Sequence, residues 1–172
     1  YGIIWDKSFF DFLNQNLKTI FALKEESLVK AIAKSCAIKA YVVEKDEKES
    51  GLRAILNYGH TFGHAYEAAN GYKSLLHGEA IAVGMVAAAK LSRRLGLCSD
   101  DVVEAQKEIF RKAGLPARLP KLSLPSVMKH MQVDKKAEGG KLRFILVHSL
   151  GNVTVRKGVP LNLVKQVVKE SL

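Results

Sequence analysis

The segment LNYGHTFGHAYE at residues 56–67 places two histidines, His60 and His64, four residues apart. On an α-helix this spacing puts both imidazole rings on one face, as in a helical metal-binding pair. The zinc metalloprotease motif with this spacing has a glutamate directly after its first histidine, and Thr61 occupies that position. The segment therefore indicates metal chemistry but excludes a zinc peptidase of that type.

A wider polar stripe surrounds the two histidines. Helical spacing predicts one helix over residues 53–69, with four polar residues within about 60° of one another at about 100° per residue. These residues are Arg53, Asn57, His60 and His64. On the neighbouring flank, Gly59 and Gly63 form a narrow groove that allows another helix to approach closely. We therefore expect the stripe to line a cleft between helices.

Two more candidates have alternative interpretations. Lys39 is in helical register with residues that we interpret as the apolar face of its helix, Leu28, Ile32, Cys36 and Val43. A lysine there either extends its ammonium to solvent or meets an anion. His77 opens the segment HGEAIA, either as a helix-cap residue or as a metal ligand at a rigid helix start. The nearby carboxylates are Glu79 and Glu67.

Composition favours one compact, soluble domain. The chain has 172 residues, of which 48% are hydrophobic and 26% charged. Cys36 and Cys98 lack the spacing of a disulfide framework or a zinc knuckle, which favours a reducing, cytoplasmic setting. No apolar run reaches membrane length, and no signal-peptide pattern opens the chain. We expect no membrane association.

The basic excess is concentrated near the C-terminus. The net charge is +10, and residues 121–172 contain ten Lys/Arg against three Asp/Glu. This region has neither a nucleic-acid motif nor the interleaved aromatic residues of a single-strand binder. We therefore expect no nucleic-acid partner. A phosphate-bearing small molecule, an acidic neighbouring domain and a plain solvated face all remain open.

Hydrophobic periodicity predicts a mainly α fold with a small β-hairpin near residues 142–156. Gly and Ser/Asp signals delimit the predicted helices, at residues 9–21, 25–50, 53–69, 77–96, 99–114 and 123–133 and from about residue 160. The segment YGIIWDKSFF begins without methionine and enters the first helix without a capping residue. We interpret the chain as part of a longer protein.

Three segments together carry a family resemblance. GLRAILNYGHTFGHAYEA at 51–68, LHGEAIAVGMVAAAKLSRRLGL at 76–97 and VDKKAEGGKLRFILVHSLGNV at 133–153 resemble, in order, signatures of the C-terminal domain of the 3-dehydroquinate synthases. These enzymes belong to the sugar-phosphate cyclase superfamily. The resemblance implies that residues 1–172 form a helical metal- and substrate-binding domain. The family's N-terminal α/β domain, which binds NAD, would lie outside this chain.

The resemblance also implies a metal site. Zinc, or cobalt, would be held by His60 and His77, and a glutamate upstream of Tyr1 would be the third ligand. His64 is then not a metal ligand, contrary to the simple helical pair. Neither Glu67 nor Glu79 is carried over as a ligand, so we expect both to be structural.

The resemblance assigns further residues to the substrate. Lys39 and Arg53 would contact its carboxylate and hydroxyl region, while Asn57, His64 and Lys135 would surround its phosphate. His64, Lys39 and Arg53 form the implied catalytic set. Their charges suit a substrate with a carboxylate and a phosphate.

The implied activity is that of a phosphate-eliminating carbon–oxygen lyase dependent on NAD and zinc. It would convert the phosphorylated sugar acid 3-deoxy-D-arabino-heptulosonate 7-phosphate to 3-dehydroquinate and phosphate in the shikimate pathway, which leads to chorismate and the aromatic amino acids. The sequence has no G-x-G-x-x-G motif after a strand, so NAD would come with the N-terminal domain. We expect this chain to be inactive alone and the enzyme to be a homodimer.

Two alternatives remain. Another sugar-phosphate cyclase or a metal-dependent polyol dehydrogenase would share the histidines without needing Lys39, Arg53 and Lys135. A non-catalytic helical binding module would keep the fold and dock a partner through its basic C-terminal third. Zinc content and phosphate binding distinguish the module from an active-site domain.

Overall fold

The computed structural model of the chain describes residues 1–48, 51–116, 119, 121–137 and 142–172, excluding the side chains of 133–137. Its elements are α1 Lys7–Phe21, α2 Glu25–Lys45, a 3-10 helix Leu52–Asn57, α3 His60–Ala69, α4 His77–Arg94, α5 Asp100–Lys112, α6 Leu124–Ala137, β1 Arg143–Ser149, β2 Asn152–Lys157 and α7 Leu161–Ser171. The predicted mainly α fold with a hairpin is confirmed. No helix in these ranges is both long and apolar enough to cross a membrane.

The central packing unit is the crossing of α3 and α4. A Cβ atom built on Gly84 of α4 would lie 2.3 Å from the carbonyl oxygen of Gly59 and 2.8 Å from the backbone nitrogen of Gly63. Both distances are shorter than a van der Waals contact, so there is no room for a side chain at position 84. The backbones of α3 and α4 are therefore in direct contact at these glycines. The predicted small-residue groove at Gly59 and Gly63 is confirmed, and α4 fills it.

The prediction of one continuous helix over residues 53–69 is wrong. The 3-10 helix ends at Asn57, and α3 begins at His60. Between them Gly59 has a φ of +83°, a left-handed conformation that interrupts helical hydrogen bonding. A Cβ at Gly59 would also lie 2.7 Å from the Cγ atom of Met85. The polar stripe is therefore divided between two helices.

The predicted extent of α2 is also wrong at its C-terminal end. The helix ends at Lys45, and Asp46 follows it as the C-cap residue in a non-helical conformation. Its Oδ2 atom accepts hydrogen bonds from the backbone nitrogens of Gly51 at 2.8 Å and Arg53 at 2.9 Å. This contact fixes the start of the 3-10 helix. Ser50, part of the predicted stop, lies outside the described residues.

The buried face of α2 differs from the predicted one. Ile38 and Val42 are buried, where α2 packs against α1 and the 3-10 helix. Ile32 and Cys36, which we expected on the core side, are exposed, and so is Lys39. The expectation that Lys39 lies on a buried face is therefore wrong. Its ammonium does not need an anion to offset burial.

The first helix has a capping residue, contrary to the expectation from sequence. The Asp6 Oδ1 atom accepts a hydrogen bond from the backbone nitrogen of Phe9 at 3.1 Å. Its Oδ2 atom lies 2.8 Å from the Lys34 ammonium on α2. Asp6 therefore satisfies a backbone donor at the helix start and connects α1 to α2.

The hairpin attaches to the helices that position the histidines. Strands β1 and β2 are antiparallel, with Ile145 opposite Val155, and β1 is the more buried strand. The Thr61 hydroxyl on α3 donates to the Arg143 carbonyl at 2.8 Å. The Ser92 hydroxyl on α4 accepts from the backbone nitrogen of Val147 at 2.9 Å. β1 therefore contacts both helices by hydrogen bonds.

Candidate metal and substrate site

Three histidine side chains converge where α3 and α4 begin. His60 is the first residue of α3, His64 lies one turn later, and His77 is the first residue of α4. The ring centroids are 5.3 Å apart for His60 and His64, 5.7 Å for His60 and His77, and 5.9 Å for His64 and His77. The glycine contacts between the helices bring His77 to the other two. The structure thus brings the predicted histidines together.

His60 and His77 share a hydrogen-bonding feature. The Nδ1 atom of His77 lies 3.2 and 3.1 Å from the two carboxylate oxygens of Glu67, and that of His60 lies 3.3 Å from the Tyr58 carbonyl oxygen. These oxygens are hydrogen-bond acceptors, so in a neutral ring each contact favours the tautomer that has the hydrogen on Nδ1 and the lone pair on Nε2. Rings that bind metals through Nε2 usually have this arrangement. Within the described part of the chain, no hydrogen bond is found for the His64 ring nitrogens.

The environment of His60 favours its neutral form. Burial lowers the pKa of His60 below its ordinary value, and the hydrogen bond to the Tyr58 carbonyl opposes this effect. The nearby imidazoles His64 and His77 lower the His60 pKa further. A histidine must be deprotonated to coordinate a metal, so the site suits metal binding. Imidazole and carboxylate ligands together suit zinc and cobalt.

Glu67 also belongs to this cluster, although we expected a structural role for it from the sequence. Ligand atoms of His64, Glu67 and His77 lie within 4.8 Å of one another, close enough to hold a metal ion. The geometry therefore permits this set as well as the pair His60 and His77. Glu67 lies three residues after His64 and seven after His60, so helical periodicity places it on the same face. That spacing was the available signal in the sequence.

The predicted substrate residues other than His64 lie on three different elements. Arg53 and Asn57 belong to the 3-10 helix directly before His60, and the Arg53 guanidinium donates to the Glu47 carbonyl at 2.8 Å. Lys39 is exposed on α2, which is a different helix from α3 and α4, where the histidines lie. Lys135 lies in α6, but its side chain is outside the described residues.

Sequence comparison identifies relatives over nearly the whole chain. The 3-dehydroquinate synthase of Vibrio atlanticus is 49% identical over 169 residues, which are 98% of this chain and 47% of the relative. That of Nitrosospira multiformis is 44% identical over 170 residues, covering 99% of this chain and 46% of the relative. The chain thus spans about half the length of the curated relatives it matches.

Solved structures share the fold. A 2-epi-5-epi-valiolone synthase from Streptomyces hygroscopicus subsp. jinggangensis, solved with NAD+ and Zn2+, matches with a TM-score of 0.87 at 18% identity. The match covers 98% of this chain and 47% of that chain, and at this identity it shows the fold alone. A 2-deoxy-scyllo-inosose synthase complexed with carbaglucose-6-phosphate, NAD+ and Co2+ has a TM-score of 0.76 at 30% identity, covering 86% of this chain and 43% of that chain.

A family profile decides the classification. The profile of the 3-dehydroquinate synthase C-terminal domain matches residues 1–137, which is most of the chain. The fold, the ordered sequence segments and the converging histidines agree with this match. The chain therefore belongs to the 3-dehydroquinate synthase family, of which it represents the C-terminal part.

Proposed function

We propose that this chain is the metal- and substrate-binding part of a cytoplasmic 3-dehydroquinate synthase. The reaction is conversion of 3-deoxy-D-arabino-heptulosonate 7-phosphate to 3-dehydroquinate and phosphate in the shikimate pathway. The observation that carries this proposal is the convergence of His60, His64 and His77, with the Nδ1 atoms of two of them held by acceptors. Relatives 44% to 49% identical, all named 3-dehydroquinate synthase, support it.

The proposed metal ligands in this chain are His60 and His77. In both rings an acceptor opposite Nδ1 favours the tautomer with the lone pair on Nε2, and burial favours the neutral form of His60 by lowering its pKa. A carboxylate from outside the chain would complete the set, because catalytic zinc usually has three protein ligands. Zinc or cobalt bound there would act as a Lewis acid toward a substrate hydroxyl.

NAD belongs to the proposal as a cofactor of an N-terminal α/β domain. When bound, this cofactor would supply reversible hydride-transfer chemistry toward the substrate. The relative solved with NAD+ and Co2+ at 30% identity supports this part of the proposal. The N-terminal domain and a second copy in a homodimer are the proposed protein partners. The 172-residue chain alone is then expected to be inactive.

The chain's own polar residues would bind the substrate. Lys39 and Arg53 supply cations for the carboxylate and hydroxyl region, and Arg53 offers a planar pair of donors. Asn57, His64 and Lys135 are proposed to surround the phosphate. His64 is exposed beside the other two rings, where it could exchange a proton with the leaving phosphate. Cations near that phosphate stabilise the negative charge that develops as it departs.

A chimaeric protein tests this function. The chain is joined behind the N-terminal half of the Vibrio atlanticus relative, and release of inorganic phosphate from the heptulosonate phosphate is measured with NAD and zinc. We expect NAD-dependent release by the chimaera and none by its His60→Ala variant or by the chain alone.

Other outcomes would support the alternatives. Turnover of glucose 6-phosphate in place of the heptulosonate would indicate a different sugar-phosphate cyclase, as the carbaglucose-6-phosphate complex of the 30% identical relative suggests. A folded chimaera that binds neither zinc nor phosphate would indicate a non-catalytic binding module.

A further inference from the structure

Glu67 combines deep burial with contact to an exposed ring. Its side chain is 11% exposed, whereas the His77 side chain is 60% exposed. Both carboxylate oxygens lie within hydrogen-bond distance of the same ring nitrogen, His77 Nδ1, at 3.2 and 3.1 Å. The two residues come from different helices, α3 and α4.

Burial of a carboxylate requires compensation. An ionised carboxylate removed from water destabilises the fold unless hydrogen bonds or charges replace its hydration. Around Glu67, α3 is otherwise buried through Phe62, Gly63, Ala65 and Tyr66, which are apolar or aromatic. The contact with His77 therefore offsets the burial of Glu67, and the position of the His77 ring becomes coupled to α3.

The contact also selects one tautomer of His77. In a neutral imidazole one nitrogen carries the hydrogen and the other is an acceptor or metal ligand. A carboxylate opposite Nδ1 favours the hydrogen on that atom and leaves Nε2 unprotonated. The Tyr58 carbonyl has the same relation to His60 Nδ1. Each of the two proposed metal ligands thus has an acceptor oxygen opposite Nδ1, from a side chain for His77 and from the backbone for His60.

We propose that Glu67 is a positioning residue that holds His77 with Nδ1 protonated and Nε2 available for the metal ion. The proposal rests on the proposed function, in which His77 is a metal ligand. It differs from direct coordination by Glu67, which the 4.8 Å grouping with His64 and His77 also permits. A carboxylate that accepts from Nδ1 acts on the metal only through the ring.

Nuclear magnetic resonance of the metal-free 172-residue chain tests whether Glu67 holds the hydrogen on His77 Nδ1. Long-range 1H–15N spectra report which nitrogen of His77 carries the hydrogen. We expect the Nδ1–H tautomer in the wild type and in Glu67→Gln, whose side-chain oxygen still accepts a hydrogen bond. In Glu67→Ala we expect a shift towards the Nε2–H tautomer. Glu79→Gln is the matched control, because Glu79 contacts the Leu76 nitrogen at 3.0 Å and not the ring.

Zinc titration of the same proteins tests whether the contact with Glu67 strengthens metal binding by His77. Loss of an outer hydrogen-bond partner typically weakens metal affinity by about 10- to 100-fold, so we expect that range for Glu67→Ala. Glu67→Gln should recover most of the affinity, and Glu79→Gln should match the wild type. His77→Ala provides the benchmark for loss of a ligand. Circular dichroism at each step verifies that the variants are folded.

The outcomes separate this inference from the proposed function. If wild-type His77 has its hydrogen on Nε2, the inference is overturned even when zinc binds. If Glu67→Gln loses zinc as completely as His77→Ala, Glu67 is a direct ligand and the positioning role is wrong. If the tautomers are as expected but the wild type binds no zinc, the proposed function fails and the role of Glu67 towards a metal fails with it.

Discussion

At the residue scale, the three histidines differ in how their rings are held. His60 and His77 each have an acceptor at Nδ1, and His64 has only ring contacts within the described residues. We expect His60→Ala and His77→Ala to weaken zinc binding by isothermal calorimetry much more than His64→Ala. Loss of binding in His64→Ala with retention in His60→Ala would instead support the set of His64, Glu67 and His77.

Asp6 should make stability depend on pH. Hydrogen bonds from Lys34, Ser8 and the Phe9 backbone hold the pKa of Asp6 below its ordinary value of 3.8. Because the folded state binds this proton less tightly than the unfolded state, the stabilisation is present above pH 3.8 and declines as the pH falls below it.

The test is the substitution Asp6→Asn, which keeps a capping side chain but removes the charge. Near neutral pH we expect a loss of about 0.2–1 kcal/mol, the range for exposed ion pairs, or about 0.4–4 °C in melting temperature. The difference from the wild type should shrink between pH 4 and pH 2.5, as measured by circular dichroism melts. A difference that stays constant over this range would contradict the assignment.

Lys39 is predicted to contribute to substrate binding and not to stability. Its side chain is exposed, so Lys39→Met should change the free energy of unfolding by no more than about 0.5 kcal/mol. We expect this variant of the chimaera to lose affinity for a phosphonate analogue of the heptulosonate. Lys18→Met, which removes an exposed lysine of α1, is the control. Equal affinities of the two variants would exclude Lys39 from the substrate site.

At the scale of elements, the crossing of α3 and α4 sets the separation of the histidines. The Gly84→Ala substitution would place a methyl group 2.3 Å from the Gly59 carbonyl oxygen, so the helices must move apart. We expect destabilisation of about 1–3 kcal/mol, as for other overpacked cores, together with weaker zinc binding. Urea unfolding and zinc titration measure the two effects.

Gly78→Ala is the matched control on the same helix. Among the described residues, no atom other than those of its chain neighbours and its own helix backbone lies within 4 Å of a Cβ built at Gly78. Alanine is favoured over glycine in a helix by about 0.5–1 kcal/mol, so this variant should be as stable as the wild type or more stable. Equal destabilisation by both substitutions would show that the close approach at Gly84 is not responsible.

At the scale of the whole molecule, the chain contains only part of the proposed metal site. Two histidine ligands leave a tetrahedral zinc site incomplete, and the surrounding chain has a net charge of +10. A carboxylate from the N-terminal part would complete the site and neutralise charge. We expect the chimaera to bind zinc roughly tenfold or more tightly than the 172-residue chain, a difference of about 1.4 kcal/mol or more. Equal zinc affinities by calorimetry would place every protein ligand within this chain.

Sequence periodicity predicted most elements because helix signals are local. Gly96 and Gly114 have positive φ values of 70° and 72° just after α4 and α5, as their positions predicted. The face that α2 buries could not be predicted in this way. Both the row with Ile32 and the row with Ile38 are apolar, and only packing against α1 and the 3-10 helix determined which is buried.

By itself, the sequence determined the mainly helical fold, the family and the histidines that form the candidate site. Hydrophobic periodicity and sequence motifs depend only on residues close together in the chain, so they can be recognised without the structure. Only the tertiary structure decided that Gly59 interrupts the helix, since its left-handed conformation accompanies the contact with Gly84. It also decided the contact between Glu67 and His77, which requires two helices to cross at a defined distance. The glycine pattern predicted a close helix approach, but which segment approaches, and at what distance, depends on backbone packing between distant segments.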